Sequence, residues 1–458
     1  MTTRDHQASA FTRRDALRAL GGGVGALALN GLVSAQDTHH APRAKRVIFL
    51  CMAGGPSHVD TFDYKPALRR DDGKTSSAAR RGGKLLGSPW EFAQHGRSGL
   101  WISELFPHLA AHADELCLLH GMHTDVPAHP QAFVQLHTGS SQFVRPSMGS
   151  WTLYGLGSMN ENLPGFVTVN PPSAQGGAQN YGSAFLPATY QGLRIGVERE
   201  GRFQRRDTGE GPVRDISNPR LGERAQRRQL DLVKTLNEGY AKREAADADA
   251  IKGVIHSYEL AFRMQAELPG LLDISKEKKG TLERYGIGGD VTDGFGRQCL
   301  HAMRLAEAGV RFIEVNRGGW DHHRNLRDDL SNSCLAVDQP IAALLEDLAR
   351  TGMLKETLVL WGGEFGRTPY AQNGDGRDHN NRGFTTWMAG GGVKGGLSHG
   401  STDEHGAESV EGRVSIHDWH ATILHLLGLD HERLTYPYAG RDFRLTDVHG
   451  RVVSDVLA

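Results

Sequence analysis

The sequence predicts a large α/β domain on a mixed, mostly parallel central sheet flanked by helices, with a helical insertion. Three observations predict it. Short continuous apolar runs at 45–55, 311–315, 357–361 and 384–389 have the composition of strands covered on both faces. Amphipathic helical patterns at 299–308 and 335–352 alternate with them, and a strand, helix, strand order imposes a right-handed crossover and a parallel pair. Four strand patterns border clusters of carboxylates and histidines: Ser57, His58 and Asp60; Asp321, His322 and His323; Glu364; and Asp378 and His379. In open α/β sheets the carboxyl ends of the strands form one rim, so such residues can converge there.

Composition narrows the function classes. The 458 residues are 38% hydrophobic and 23% charged with a formal net charge of -1, enough chain to bury a large core and no broad basic field of the kind nucleic acid requires. Nucleic acid is therefore not an expected partner. Cys51, Cys117, Cys299 and Cys334 sit in apolar surroundings without CxxC spacing and are read as buried packing residues, with no thiolate zinc site indicated.

Residues 1–35 read as a leader. Thr12-Arg13-Arg14-Asp15-Ala16-Leu17-Arg18 precedes a Gly- and Ala-rich apolar run that closes on Val33-Ser34-Ala35, a twin-arginine pattern with a small-residue cleavage site. The run is too short and glycine-rich for a stable span of about 20 residues. A periplasmic or otherwise exported domain over 36–458 is the expectation.

Within that domain, 45–55 is the expected central strand, 102–113 a helix and 115–120 a second strand. The loop from Gly121 to Pro130 is dense in polar groups and leads into a helix at 131–137, an arrangement that presents a nucleophile or an anion site. Strand-like pieces at 165–169 and 193–197 punctuate a Gly- and Asn-rich region. A helical insertion follows over about 221–290, and a final helix at 418–427 closes with Gly428.

Singly, the polar motifs are ambiguous. Asp321-His322-His323 suits a metal site or a solvated loop, and Glu364 suits a ligand or an ion pair with Arg367 or Arg382. Together they would repel or desolvate one another on a shared rim unless a cation neutralised them.

The ordered motifs RVIFLCMAGGPSHVDTFD, the stretch from Phe106 to Gly139, RFIEVNRGGWDHH, LVLWGGEFGRTP, DGRDHNNRG and HDWHATILHLLGL resemble an exported bacterial family, domain of unknown function 1501, within the alkaline phosphatase and sulfatase superfamily. The resemblance covers almost the whole mature chain. It implies an alkaline-phosphatase-like fold and one or two divalent cations (Zn, Ca, Mn or Mg) at the carboxyl edge of the sheet. It implies hydrolysis of a small or polymeric anionic phosphate or sulfate ester.

Carried over by motif, the resemblance implies Asp321 with His322 or His323, Glu364, and His379 as metal ligands, with His58 or Asp60 replacing the Asp that usually ends the first strand. Phe365 stands where a ligand His is expected. No cysteine fits the Cys-x-Pro-x-Arg pattern that formylglycine requires, which disfavours an ordinary type I sulfatase. His129 falls near the nucleophile position with Thr124 and Asp125 close by, and a Thr hydroxyl, a His or a metal-bound hydroxide would each be chemically adequate. His123 and His129 fit equally well as loop hydrogen-bonders or extra ligands. Arg367, ahead of Arg382 and Lys394, is the expected anion clamp, while His417, His420 and His425 read as structural. The alternative reading is a non-catalytic, metal-stabilised protein that binds anionic polysaccharide or a partner protein.

Overall fold

The computed structural model describes residues 38–76, 83–196, 220–243 and 248–458; the leader expected over 1–35 lies outside the described residues. The elements that position the site are, in chain order, strand β1 (Arg46–Met52), β2 (Leu116–His123), helix α1 (His129–Thr138), α2 (Met148–Leu156), β3 (Phe166–Val169) and β4 (Leu193–Ile195). Three helices follow: α3 (Glu223–Arg243), α4 (Ala248–Leu272) and α5 (Lys279–Arg284). Then come α6 (Asp293–Glu307), β5 (Phe312–Arg317), α7 (Leu326–Arg350), β6 (Thr357–Gly362), β7 (Gly366–Gln372), β8 (Gly376–Asn380), β9 (Phe384–Ala389), β10 (Leu397–His399), β11 (Val414–Ser415) and α8 (Ile416–Leu426).

The central sheet runs β10-β2-β9-β6-β1-β5-β3-β4, with β11 also pairing β2. β1 pairs β5 and β6 in parallel, and only β9 runs against its neighbours β2 and β6. The fold is thus a mixed, mostly parallel sheet flanked by helices. The reversed sense of β9 matters for function: the segment entering it, including the β7–β8 hairpin, arrives at the rim where the parallel strands end.

Continuous apolar strands need cover on both faces, and the two cores supply it. Ile48, Leu50, Ile313, Val315 and Trp361 pack on one side under α4, α6 and α7, while Val47, Phe49, Cys51, Phe312 and Leu360 pack on the other under α1, α2 and α8. Each fully buried Leu, Ile or Phe contributes about 1.5–3 kcal/mol. α8 starts on a capping box, in which Ser415 and Asp418 satisfy each other's backbone N–H.

One stretch folds against expectation. Residues 102–113 were expected as one helix, but Leu100–Ser103 is a strand paired with Phe92–His95, and a 3-10 helix covers Leu109–Glu115. Pro107 separates the two, and the apolar residues on either side fit both spacings.

Candidate metal centre

The residues brought together come from three rim segments. α1 has Pro130 in its first turn, a position where a missing N–H costs nothing, so the helix begins at His129 directly after the loop that follows β2. β5 runs on through Gly318 and Gly319 to Asp321 and His323, and β8 carries His379. Gly54, just beyond β1, has φ +119°, and a Cβ there would lie 2.7 Å from the Asp321 backbone nitrogen, so glycine allows the loops to close over one another.

His129, Asp321, His323 and His379 offer ligand atoms that all lie within 4.8 Å of one another. Three imidazole Nε2 atoms surround a single oxygen: Asp321 Oδ1 is 3.1 Å from His129, 2.9 Å from His323 and 3.3 Å from His379. The Nε2 atoms of His323 and His379 are 3.0 Å apart. Each Nδ1 meets an acceptor elsewhere. That of His129 meets Glu364 Oε1 at 2.5 Å, that of His379 the Pro127 carbonyl at 2.7 Å, and that of His323 the Gln372 side-chain oxygen. A carbonyl cannot donate, so the His379 Nδ1–H does, which turns Nε2 toward the cluster as the nitrogen free to bind a cation; the amide oxygen of Gln372 orients His323 the same way. Metal-binding histidines characteristically donate their second N–H to such fixed acceptors. Lone pairs and a carboxylate facing inward fit a divalent cation.

Electrostatics agree with a cation-demanding site. Burial opposes charge on His129, but hydrogen bonds to Asp321 and Glu364 outweigh it and push the imidazole up to about 9. Burial likewise opposes the charge on Asp321, yet the His129 and His379 imidazoles against it and the Arg367 guanidinium hold its carboxyl well below the usual range. The Asp321 side chain is 45% exposed, so the cluster opens outward to solvent.

The remaining sequence-derived candidates stand elsewhere. Glu364 is fully buried, where it accepts the Gly54 N–H at 3.1 Å as well as the His129 proton; it orients His129 from behind the cluster. Arg367, expected to clamp an anion, is fully buried instead. Its Nε donates to Gly55 O at 2.9 Å and its Nη2 to Asp321 at 2.5 Å, which leaves no fork facing solvent. Arg382 pairs with Glu408, and Lys394 donates to the Asp455 carbonyl.

Asp60 receives a bidentate pair of bonds from Arg377 at 2.6 and 2.9 Å, and His58 Nε2 donates to the Gly406 carbonyl at 2.8 Å. Both expected ligands are thereby committed to holding loops together. His322 is buried and turned toward Ser333 of α7, and burial with the Arg367 charge pushes its imidazole down to about 4. Thr124, a candidate nucleophile, donates its hydroxyl to Gln135 at 2.9 Å. Phe365 packs its ring against His129 and His379, with centroids 4.7 and 4.6 Å away. Sequence reasoning overlooked Gln372 and Pro127, whose roles depend on a side-chain amide and a backbone carbonyl that no motif announces.

Fold and site together define an α/β protein with a three-histidine, one-aspartate candidate metal centre at the carboxyl rim of its sheet. Residues 44–457 match the family described as "Protein of unknown function (DUF1501)", and the chain belongs to that family. No curated protein matches it.

Among solved structures, the chain is similar to the PsFucS1 sulfatase from Pseudoalteromonas sp. at 12% identity and a TM-score of 0.40, covering 95% of this chain and 76% of that one. It is similar to the lipoteichoic acid synthase LtaP from Listeria monocytogenes at 8% identity and a TM-score of 0.38, covering 94% and 82%. A third is the C-terminal periplasmic domain of EcEptC from Escherichia coli in complex with Zn, at 10% identity and a TM-score of 0.38, covering 87% and 86%.

Proposed function

We propose that the protein is an exported, metal-dependent hydrolase of phosphate or sulfate esters whose single catalytic cation is held by His129, Asp321, His323 and His379. The observation that carries this reading is the convergence of three Nε2 atoms on Asp321 Oδ1, with the paired Nδ1 atoms engaged by Glu364, the Pro127 carbonyl and Gln372. A divalent cation in such a site supplies Lewis acidity toward an ester oxygen and activates water at neutral pH.

The chain's own residues do the rest. Glu364 and Gln372 fix ring orientation, Arg367 holds Asp321 in place, and Phe365 fills the corner where the resemblance expects a further His. One cation therefore suits the site better than two. The exposed side of Asp321 leaves room for an ester oxygen or a water. The twin-arginine pattern at 12–18 supports export, and no described helix is long and apolar enough to cross a membrane.

A second reading has specific support: a metal-stabilised, non-catalytic protein that binds anionic polysaccharide or a partner protein. It rests on the engagement of the Thr124 hydroxyl by Gln135 and on the burial of Arg367. One experiment separates the two. Metal content of the purified protein is determined, and turnover of aryl phosphates and aryl sulfates is followed across Zn, Mn, Mg and Ca. Turnover that disappears on chelation and in His379→Ala supports the hydrolase; bound metal with no turnover on the whole panel replaces it with the binding role.

A further inference from the structure

Glu314 is a carboxylate in the middle of β5, a strand otherwise made for the core. It is 1% exposed, and neither of its side-chain oxygens has a hydrogen-bond partner. Leaving such a group unsatisfied in a low-dielectric interior is costly, so its surroundings must answer it.

The parallel register places Glu314 beside Phe49 and places Asn316 beside Cys51, so these side chains share the sheet face covered by α1. From α1, two turns beyond His129, His137 reaches down with Nε2 3.3 Å from Glu314 Oε1. Cys51, His137 and Glu314 offer ligand atoms all within 4.8 Å of one another, and all three residues are buried. Aromatic rings wall the group, with Phe133 and Phe49 centroids 4.6 and 5.9 Å from the His137 ring.

The tautomer of His137 is informative. Its Nδ1 is 2.7 Å from the Phe133 carbonyl, which can only accept, so Nδ1 carries the hydrogen. In the neutral ring Nε2 is then a bare acceptor aimed at a carboxylate, and the pair requires something positive between them. A proton on Nε2 is one answer, and the Glu314 charge does favour it against the cost of burial. A proton serves only one oxygen, however. It leaves the second Glu314 oxygen unanswered, as well as the unpartnered Oδ1 of Asn316 on the same sheet face.

We infer that Cys51, His137 and Glu314 form a second, buried cation site that takes a borderline divalent metal of the zinc type. Thiolate, neutral imidazole and carboxylate are the donors such an ion prefers, and with bonds of about 2.0–2.2 Å to nitrogen and oxygen a tetrahedral site spaces those two donors about 3.3 Å apart. One thiolate and one carboxylate also neutralise one divalent charge, so the filled site brings no net charge into the core. The backbone carbonyl that receives the His137 Nδ1–H completes the usual second layer. Eight residues of helix separate His137 from His129, about 12 Å. The buried ion ties α1 to β1 and β5, and thereby holds the helix that presents His129 at the rim. It does not depend on what the rim site catalyses.

Cobalt(II) tests this directly, because among the two clusters only the buried one contains sulfur. The full chain is produced in zinc-depleted medium containing cobalt, so that the ion enters as the chain folds. A thiolate-to-cobalt charge-transfer band in the near ultraviolet is expected in the parent protein and in Asp321→Ala. In Cys51→Ser, and in Cys51→Ala if the serine variant does not fold, the band is lost and cobalt content falls by one equivalent per chain. Absence of the band from cobalt-grown parent protein, or its persistence in the folded Cys51 variant, overturns the assignment and leaves a proton between His137 and Glu314.

Discussion

Glu364 Oε1 lies 2.5 Å from Nδ1 of His129, and the same buried carboxylate is pinned by the Gly54 N–H at 3.1 and 3.2 Å. A residue that looks like a ligand in the sequence thus works one layer back. It aims the imidazole whose other nitrogen meets Asp321, and it raises that ring's basicity. Replacing Glu364 by Gln keeps the volume but lets the amide NH2 face Nδ1, which favours the wrong tautomer. Metal affinity measured by chelator competition is expected to fall about 10–100-fold with little change in far-ultraviolet circular dichroism. An unchanged affinity would show that His129 needs no orienting partner.

Asp321 is expected to matter twice. It is the common neighbour of the three histidines and the counter-charge of Arg367, which is wholly buried. Asp321→Ala should abolish metal at the rim and also destabilise the fold by about 1–3 kcal/mol, a figure reduced because Asp321 itself is nearly half exposed. His379→Ala should lose the metal with a much smaller effect on stability. Metal analysis combined with urea unfolding separates the two, and full occupancy in both variants would remove these residues as ligands.

Asp60 and Arg377 provide the opposite case. Both are fully buried and joined by two short bonds across 317 residues of sequence. Asp60→Asn leaves a guanidinium buried without its partner, so a loss of about 3–5 kcal/mol is expected. Rim metal content should stay at one equivalent relative to the parent. A variant that keeps its stability but sheds the metal would return Asp60 to the ligand set.

These pairs also show where sequence reasoning reaches and where it stops. Strands β1, β5 and β6 were legible because burial on both faces demands uninterrupted apolar residues, and the rule that parallel strands end on one rim places Asp321 there, whereas His379 reaches the same rim because β9, which it precedes, runs antiparallel. His58 and Asp60 satisfied that rule equally well. What excluded them was Arg377 and the Gly406 carbonyl, partners supplied by distant loops that spacing cannot anticipate. Arg367 was expected to face substrate because its fork suits an oxyanion, yet the same fork suits the Gly54 and Gly55 carbonyls that the first strand leaves at the rim. The helix expected over 102–113 failed for a local reason, since Ile102, Phe106 and Leu109 fit a strand followed by a short helix as well as a continuous one. Glu314 was read only as part of the strand at 311–315, since its meeting with His137 depends on how α1 lies across the sheet.

Acid is expected to weaken the fold through a buried histidine. His420 of α8 is fully buried, with Nε2 donating to the Leu136 carbonyl at 2.8 Å and Nδ1 without a partner. Burial pushes its imidazole down to about 3 from an ordinary 6.5, so the folded protein keeps the ring neutral while the unfolded chain protonates it. The contribution is therefore complete above pH 6.5 and is lost as pH falls from there toward 3, at about 1.4 kcal/mol per pH unit for this one group. His58 and His120, also buried and shifted the same way, steepen the slope. Gln places an amide N–H where Nε2 stood, keeps the bond to Leu136 and does not titrate. Urea unfolding of His420→Gln between pH 7 and pH 5 should therefore give a stability that depends on pH less steeply than the parent's by one proton's worth. Equal slopes in the two proteins would mean that His420 is protonated in the fold as readily as in the unfolded chain, and the neutral buried imidazole would have to be abandoned.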